Sequence, residues 1–249
     1  MLQVAIDESG SHTGSRVFAV AACLATVPQW KAFLAEWIPL YREEQPSPDH
    51  HYHAVERWCA PINPWLADMI DRHMSHVYVV TMKEAEFKEA ATPKYRSQVG
   101  GSYGFLVHFC LSKLAKRSRG RYPPERMRYV LEAGHKGQSA VDRILWKIET
   151  NPLAAEHFRL DSHDWATKEM PVVHPPDLVS HEYASCFEAP RTAVLDKLRK
   201  RTEWYHATPE DIRHHVSKVA WYDTRAGRPA GRALAPPGLW PPPTDGKKK

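Results

Sequence analysis

The chain has 249 residues, 43% of them apolar and 10% aromatic with nine Trp, so it can bury a sizeable core. Lys and Arg outnumber Asp and Glu by 34 to 29, a net charge of +5 that permits an anionic partner without demanding one. No apolar run approaches the length of a membrane span, Asp7 and Glu8 interrupt any signal-peptide core, and the four cysteines contain no Cys-x-x-Cys pair. Cys23, Cys110 and Cys186 lie in apolar surroundings and read as reduced core residues of a cytoplasmic protein.

Leu2, Val4 and Ile6 alternate along a strand that runs into Asp7-Glu8-Ser9-Gly10. A polar turn over 11–15 and an apolar run over 16–24 complete a β-hairpin. Pro28 opens a helix in which Trp30, Phe33, Leu34, Trp37 and Ile38 recur at helical spacing until Gln45-Pro46-Ser47-Pro48. Residues 49–55 read as a short strand entering a helix, which would put His51 and His53 on one face. Helices are expected over 61–73, 83–91, 102–117 and 138–150, and strands over 76–82 and 126–131. The helix over 102–117 carries the clearest apolar stripe and ends in the cations Lys113, Lys116 and Arg117. The strand over 126–131 runs into Glu132 and the turn Gly134-His135-Lys136-Gly137. Beyond it, 157–160 reads as an edge strand, 171–176 as extended, and Asp177 as the opening of a helix reaching about Glu188. Pro190 restarts a helix bearing Lys197, Arg199, Lys200 and Arg201, and a last helix runs from Pro209 to about Tyr222. The Pro-, Gly- and Arg-rich remainder reads as disordered.

Strands thus alternate with helices after an initial hairpin. This order implies an α/β fold, a mixed β-sheet with an N-terminal hairpin and helices on both faces. One domain over 1–201, a helical extension over 202–224 and a tail over 225–249 account for the chain.

Three acids stand where elements meet: Asp7 and Glu132 at strand ends, Asp177 at a helix start. In open α/β sheets ligands sit beyond the strand ends, where such carboxylates converge. Clustered carboxylates repel unless cations neutralise them, and Mg²⁺ or Mn²⁺ prefers oxygen ligands. Such ions activate water and stabilise the leaving oxygen of a phosphodiester. For Asp7 the alternative is an Asx-turn closing the hairpin, and for Asp177 a helix N-cap after Pro175-Pro176. His181 shares a helix face with Asp177, while Glu182 lies roughly 140° around.

Ile6-Asp7-Glu8-Ser9-Gly10, Leu131-Glu132-Ala133-Gly134 and Pro175-Pro176-Asp177-Leu178-Val179, in that order, resemble the domain of unknown function 3800 family. Members open with an apolar strand and Asp-Glu-Ser-Gly, carry a mid-chain strand ending on an acid, and have a late helix preceded by Gln-x-Ala-Asp. Here Pro175-Pro176 stands in place of that Gln-x-Ala. The resemblance covers roughly 2–200 and implies a ribonuclease H-like fold, whose nucleases hold metal with carboxylates at these topological places. It also places a His-Ala segment near the cleft, matched here by His53-Ala54.

The expectation is a divalent-metal-dependent phosphodiester hydrolase acting on RNA or DNA. Asp7, Glu132 and Asp177 would be ligands, Glu8 and His181 supporting ligands, and His53 an auxiliary group orienting phosphate or water. Lys113, Lys116, Arg117 and Lys136 would contact nucleic acid, although charge at a helix end is also favourable on its own. His135 reads as an exposed turn residue, with a place facing a scissile phosphate as the alternative. A non-catalytic binding module that keeps the fold is the competing class. The sequence carries no signal for oligomeric state.

Overall fold

The computed structural model describes residues 1–10, 17–118, 126–135, 137–187 and 192–219. The first half contains β1 (Leu2–Ser9), β2 (Val17–Thr26), α1 (Val27–Glu44), α2 (Asn63–His73), β3 (His76–Lys83), α3 (Glu84–Ala90), α4 (Pro93–Val99) and α5 (Gly101–Ser118). The second contains β4 (Met127–Glu132), α6 (Gln138–Thr150), α7 (Pro152–Phe158), β5 (Leu160–Ala166), α8 (His174–Ser185), α9 (Ala193–Leu198), β6 (Thr202–His206) and α10 (Pro209–Val219).

The strands form one sheet in the order β5-β4-β1-β2-β3-β6. β1, β2 and β3 are antiparallel neighbours, β4 runs parallel to β1, β5 to β4, and β6 to β3. This is the mixed sheet with an N-terminal hairpin and helices on both faces. β1 is central and buried on both sides, so its side chains alternate between two cores. Val4 and Ile6, with Val20, Leu24, Tyr129 and Leu131, pack under α5 and α6. Ala5, Ala21, Cys23 and Ala25, with Val130, pack under α1, α2 and α8. The small side chains on this second face let α8 lie directly against β1 and β2. The aromatic stripe of α1 (Trp30, Phe33, Trp37) fills the space beside it. α1 starts sharply because Thr26 caps the Gln29 amide while the Gln29 side chain accepts from the Thr26 amide at 2.9 Å. Pro39 sits inside α1 without ending it.

Several expectations are corrected. Pairing of β1 with β2 continues to Ser9 opposite Ala19, so Asp7 and Glu8 lie inside the strand rather than beyond it. Residues 51–62 form an irregular run of turns, so His51 and His53 share no strand face; His51 instead approaches Glu169 at 3.5 Å. Residues 157–160 are not an edge strand. Asn151 caps the short helix α7, with Pro152 in its first turn, and β5 begins only at Leu160. Residues 171–176 are not extended: α8 begins at His174, which puts Asp177 a turn inside the helix and not at its cap. α4, capped by Thr92 at the Tyr95 amide, has no counterpart in the sequence reading. Thr202–His206 is a sheet strand beside β3, not part of a helical extension. The turn at 11–15, Lys136, Pro190 and the 225–249 tail lie outside the described residues.

His163 on β5 is held between two α6 acids, with Nδ1 2.6 Å from Glu149 and Nε2 3.1 Å from Asp142. Burial alone would lower its pKa, but the two carboxylates outweigh burial and raise it above the ordinary 6.5. A histidine bound more tightly to its proton in the folded state adds stability below the unfolded pKa. That contribution is lost as pH rises through the folded value. Subtracting the His163→Gln urea midpoint from that of the wild type, from pH 6 to 9, is expected to give a difference that shrinks as pH rises. A flat difference would show that the two acids leave the imidazole unperturbed.

Candidate metal centre

β1 and β4 are parallel and in register, Ile6 opposite Leu131, so the next residues, Asp7 and Glu132, are neighbours where the pairing of these two strands ends. Alternation puts both on the face that α8 covers. Glu8 lies on the opposite face, toward α5. α8 brings Asp177 to the same end. Asp7 and Glu132 are each 2% exposed and Asp177 is 7% exposed.

The third member of the cluster is His135. Asp7, Glu132 and His135 each offer a ligand atom, all within 4.8 Å of one another. The ring is aimed by its turn. Gly134 has φ +104°, a left-handed conformation that suits glycine, and its amide donates to Gln138 Oε1 at 2.8 Å. Gly137 packs so close to α5 that a Cβ there would stand 2.8 Å from Tyr103 Cδ1. Tyr103 in turn lies against the His135 ring, centroid to centroid 4.9 Å. His135 Nδ1 is 2.8 Å from Glu8 Oε1, and Nε2 is 3.5 Å from Asp7 Oδ1.

The electrostatics of the cluster are those of excess buried negative charge. Burial raises the Asp7 carboxyl well above the ordinary range; His135 pulls it back, while Glu132 and Asp177 push it further up. Burial also raises Asp177, to about 7, against the Ala54 amide, which donates to its Oδ2 at 2.8 Å. Burial lowers His135, but Asp7 and Glu8 prevail and bring it to about 10. Asp7 Oδ2 and Glu132 Oε1 are buried and accept no hydrogen bond. Lys168 Nζ is 3.4 Å from Glu132 Oε1, and its side chain is 46% exposed.

A polar chain in the second core holds these groups. Trp37 Nε1 donates to His174 Nδ1 at 3.0 Å, and His174 Nε2 lies 3.2 Å from the Lys168 carbonyl. With Nδ1 accepting, the ring is neutral and donates from Nε2; burial holds its pKa down to about 3. Tyr52 stacks on that ring at 4.8 Å and donates to Asn63 Oδ1 at 2.6 Å, while Asn63 Nδ2 donates to the Ala54 carbonyl at 3.2 Å. Ala54 is therefore fixed on one side by Asn63 and binds Asp177 on the other. Tyr52→Phe leaves a buried amide oxygen without its donor, and is expected to cost about 1–3 kcal/mol in urea unfolding. An unchanged midpoint would mean that water replaces the hydroxyl.

The sequence-derived residues divide as follows. Asp7 and Glu132 come together with His135, while Asp177 acts on both acids electrostatically from α8 but is not one of the donors within 4.8 Å of one another. Glu8 stands behind His135 instead of beside Glu132. His181 is half-buried one turn beyond Asp177; burial lowers its pKa and Glu182 raises it. Glu182 accepts from the Thr192 hydroxyl and so belongs to the α9 cap region. His53 lies near Lys168, Glu132 and His181; burial chiefly lowers its pKa, and its Nδ1 is buried without a hydrogen bond. The α5 cations are elsewhere. Ten to fourteen residues separate Lys113–Arg117 from Tyr103, roughly 15–21 Å along the helix. Lys113 lies over the Tyr205 ring at 4.0 Å, Arg117 bonds Glu203 at 2.8 Å, and Lys116 is exposed. Lys197 and Arg201 are likewise paired, with Asp68 at 2.7 Å and Asp71 at 3.2 Å. His135 as a cluster member, Lys168 and Tyr103 were absent from the expected site. The spacing Glu132-x-x-His135 after a strand was the one signal available for His135.

No family model matches the chain, and no curated protein matches it. Among solved structures, it is similar to a chain in the PCNA:RNase HII complex from Archaeoglobus fulgidus. The identity is 10% over 75% of this chain and 74% of that one, with a TM-score of 0.43. At that level nothing about activity follows from the likeness. Among the described residues, no helix is long and apolar enough to cross a membrane.

Proposed function

We propose that this chain is a divalent-metal-dependent phosphodiester hydrolase acting on RNA or DNA, with Asp7, Glu132 and Asp177 holding Mg²⁺ or Mn²⁺. The observation that carries the reading is the pair of buried oxygens, Asp7 Oδ2 and Glu132 Oε1, that accept no hydrogen bond beside a third carboxylate. Uncompensated buried carboxylates are costly, and oxygen donors of this kind suit a hard dication. When bound, such a cation activates water and neutralises charge on the departing oxygen of a phosphodiester. The chain's own groups supply the rest. Lys168, half-exposed beside Glu132, offers an ammonium to a phosphate oxygen from the solvent side. His53, kept neutral by burial, can accept a proton at the cluster's edge. The Asp7–Gly10 and Leu131–Gly134 motifs resemble those of the domain of unknown function 3800 family, and membership of that family is part of this proposal.

The test is cleavage of labelled RNA and DNA oligonucleotides, single- and double-stranded, with Mn²⁺, Mg²⁺ or excess chelator. Cleavage that requires the metal and stops on chelation supports the reading. Cleavage that survives chelation, or none on any substrate with either metal, overturns it in favour of a non-catalytic module.

A further inference from the structure

His135 has its two ring nitrogens in unlike settings. Nδ1 lies 2.8 Å from Glu8 Oε1, a close ion-pair contact. Nε2 lies 3.5 Å from Asp7 Oδ1, is buried and makes no hydrogen bond. A counter-ion serving only to neutralise the acids would bring both N–H groups within bonding range. The longer separation fits a different relation. Two ligand atoms each about 2.1 Å from a shared ion stand about 3–3.5 Å apart at octahedral or tetrahedral angles. Glu132 completes a set whose donor atoms all lie within 4.8 Å of one another. Glu8, from the other face of the sheet, then holds the imidazole by its remote nitrogen, as carboxylates hold metal-bound histidines generally.

We propose that His135 Nε2 is a nitrogen ligand to the cation held by Asp7 and Glu132, with Glu8 as its positioning residue, so that the site takes Mn²⁺ or a similar transition dication in preference to Mg²⁺. This rests on the metal-site reading above and narrows it. Imidazole adds little for Mg²⁺, which demands oxygen and keeps its waters, but binds first-row transition ions well. The Gly134 conformation, the close packing of Gly137 against Tyr103 and the Tyr103 ring fix the donor before any ion arrives, so the preference is built into the turn rather than induced.

The experiment loads the full chain with Mn²⁺ and records pulsed EPR for ¹⁴N coupling, in the wild type, His135→Gln and Asp7→Asn. Calorimetry of Mn²⁺ and Mg²⁺ accompanies it. The wild type is expected to show a ¹⁴N coupling that His135→Gln removes, and to favour Mn²⁺ over Mg²⁺ at least tenfold, a preference that falls severalfold in His135→Gln. Because His135 sits in a turn outside the helices and strands, the variant is expected to retain the wild-type circular dichroism spectrum. Mn²⁺ bound without ¹⁴N coupling and lost in Asp7→Asn overturns the histidine assignment and leaves the carboxylate site standing. A coupling unchanged in His135→Gln overturns it too. No Mn²⁺ bound to the wild type overturns both readings.

Discussion

Replacing Asp7 with Asn is expected to cut metal-dependent phosphodiester cleavage by at least about a hundredfold while raising the thermal midpoint of the metal-free protein. The loss follows from position. Asp7 is 2% exposed on the central strand, just past its pairing with β4, and its Oδ2 is a buried oxygen that accepts no hydrogen bond. Changing groups that merely support a ligand typically costs 10–100-fold in affinity or activity, so removing a ligand's charge should cost no less. The gain in stability follows from the same burial. With the metal absent, ionised Asp7 faces Glu132 and Asp177 in a dry setting, and an amide of the same shape removes that repulsion. Asn Oδ1 can still accept the Glu8 amide, which donates to Asp7 Oδ1 at 2.7 Å, so the strand end keeps its local bond. Thermal melts in chelator and turnover in Mn²⁺ check the two halves together. A variant both less stable and less active would mean that Asp7 serves the fold first.

The second large effect lies in the core behind the site. Trp37→Ala is expected to lower unfolding free energy by about 3–5 kcal/mol in urea titration. Trp37 is fully buried on α1, stacks on Phe33 and Tyr41, and meets Tyr52 and His174 edge-on. Deleting it leaves a cavity and also takes the donor from His174 Nδ1. Trp37→Phe separates the two contributions, since it keeps much of the ring volume and removes only the indole N–H. It is expected to cost about 1–3 kcal/mol. Because His174 anchors the Lys168 carbonyl, both variants should also weaken whatever Lys168 does at the site. If Trp37→Phe matched the alanine variant, the hydrogen bond and not the packing would carry the core.

Much of this arrangement was legible in the residues. Strand-end acids after apolar runs pointed to Asp7 and Glu132, because alternation and parallel pairing must bring such positions together. Asp177 was legible as a helix-borne acid, but not its depth in α8. Pro175 and Pro176 looked extended, yet they occupy the first helical turn, where a missing N–H costs nothing. β5 was read too early, over 157–160, and β6 escaped notice, for one physical reason. Leu160–Ala166 and Thr202–His206 are edge strands, half-buried and rich in charge and polar groups, so neither shows an apolar run. α4 and α7 did carry signals, Thr92-Pro93 and Asn151-Pro152, each a capping residue followed by proline. His135 and Lys168 lie in turns, where periodicity says nothing and only the folded chain shows what they face. The α5 cations show the converse. Their clustering was conspicuous, but Lys113 and Arg117 are engaged by Tyr205 and Glu203 on β6, a strand that the sequence did not reveal.

The central claim is that the buried acids exist to hold a cation. Calorimetric titration of the metal-free protein with Mn²⁺, wild type beside Asp7→Asn, tests it without any choice of substrate. Stoichiometric binding by the wild type that disappears in the variant is the expected result. Equal binding by both, or by neither, would contradict the claim and leave Asp7, Glu132 and Asp177 as structural acids balanced by His135 and Lys168.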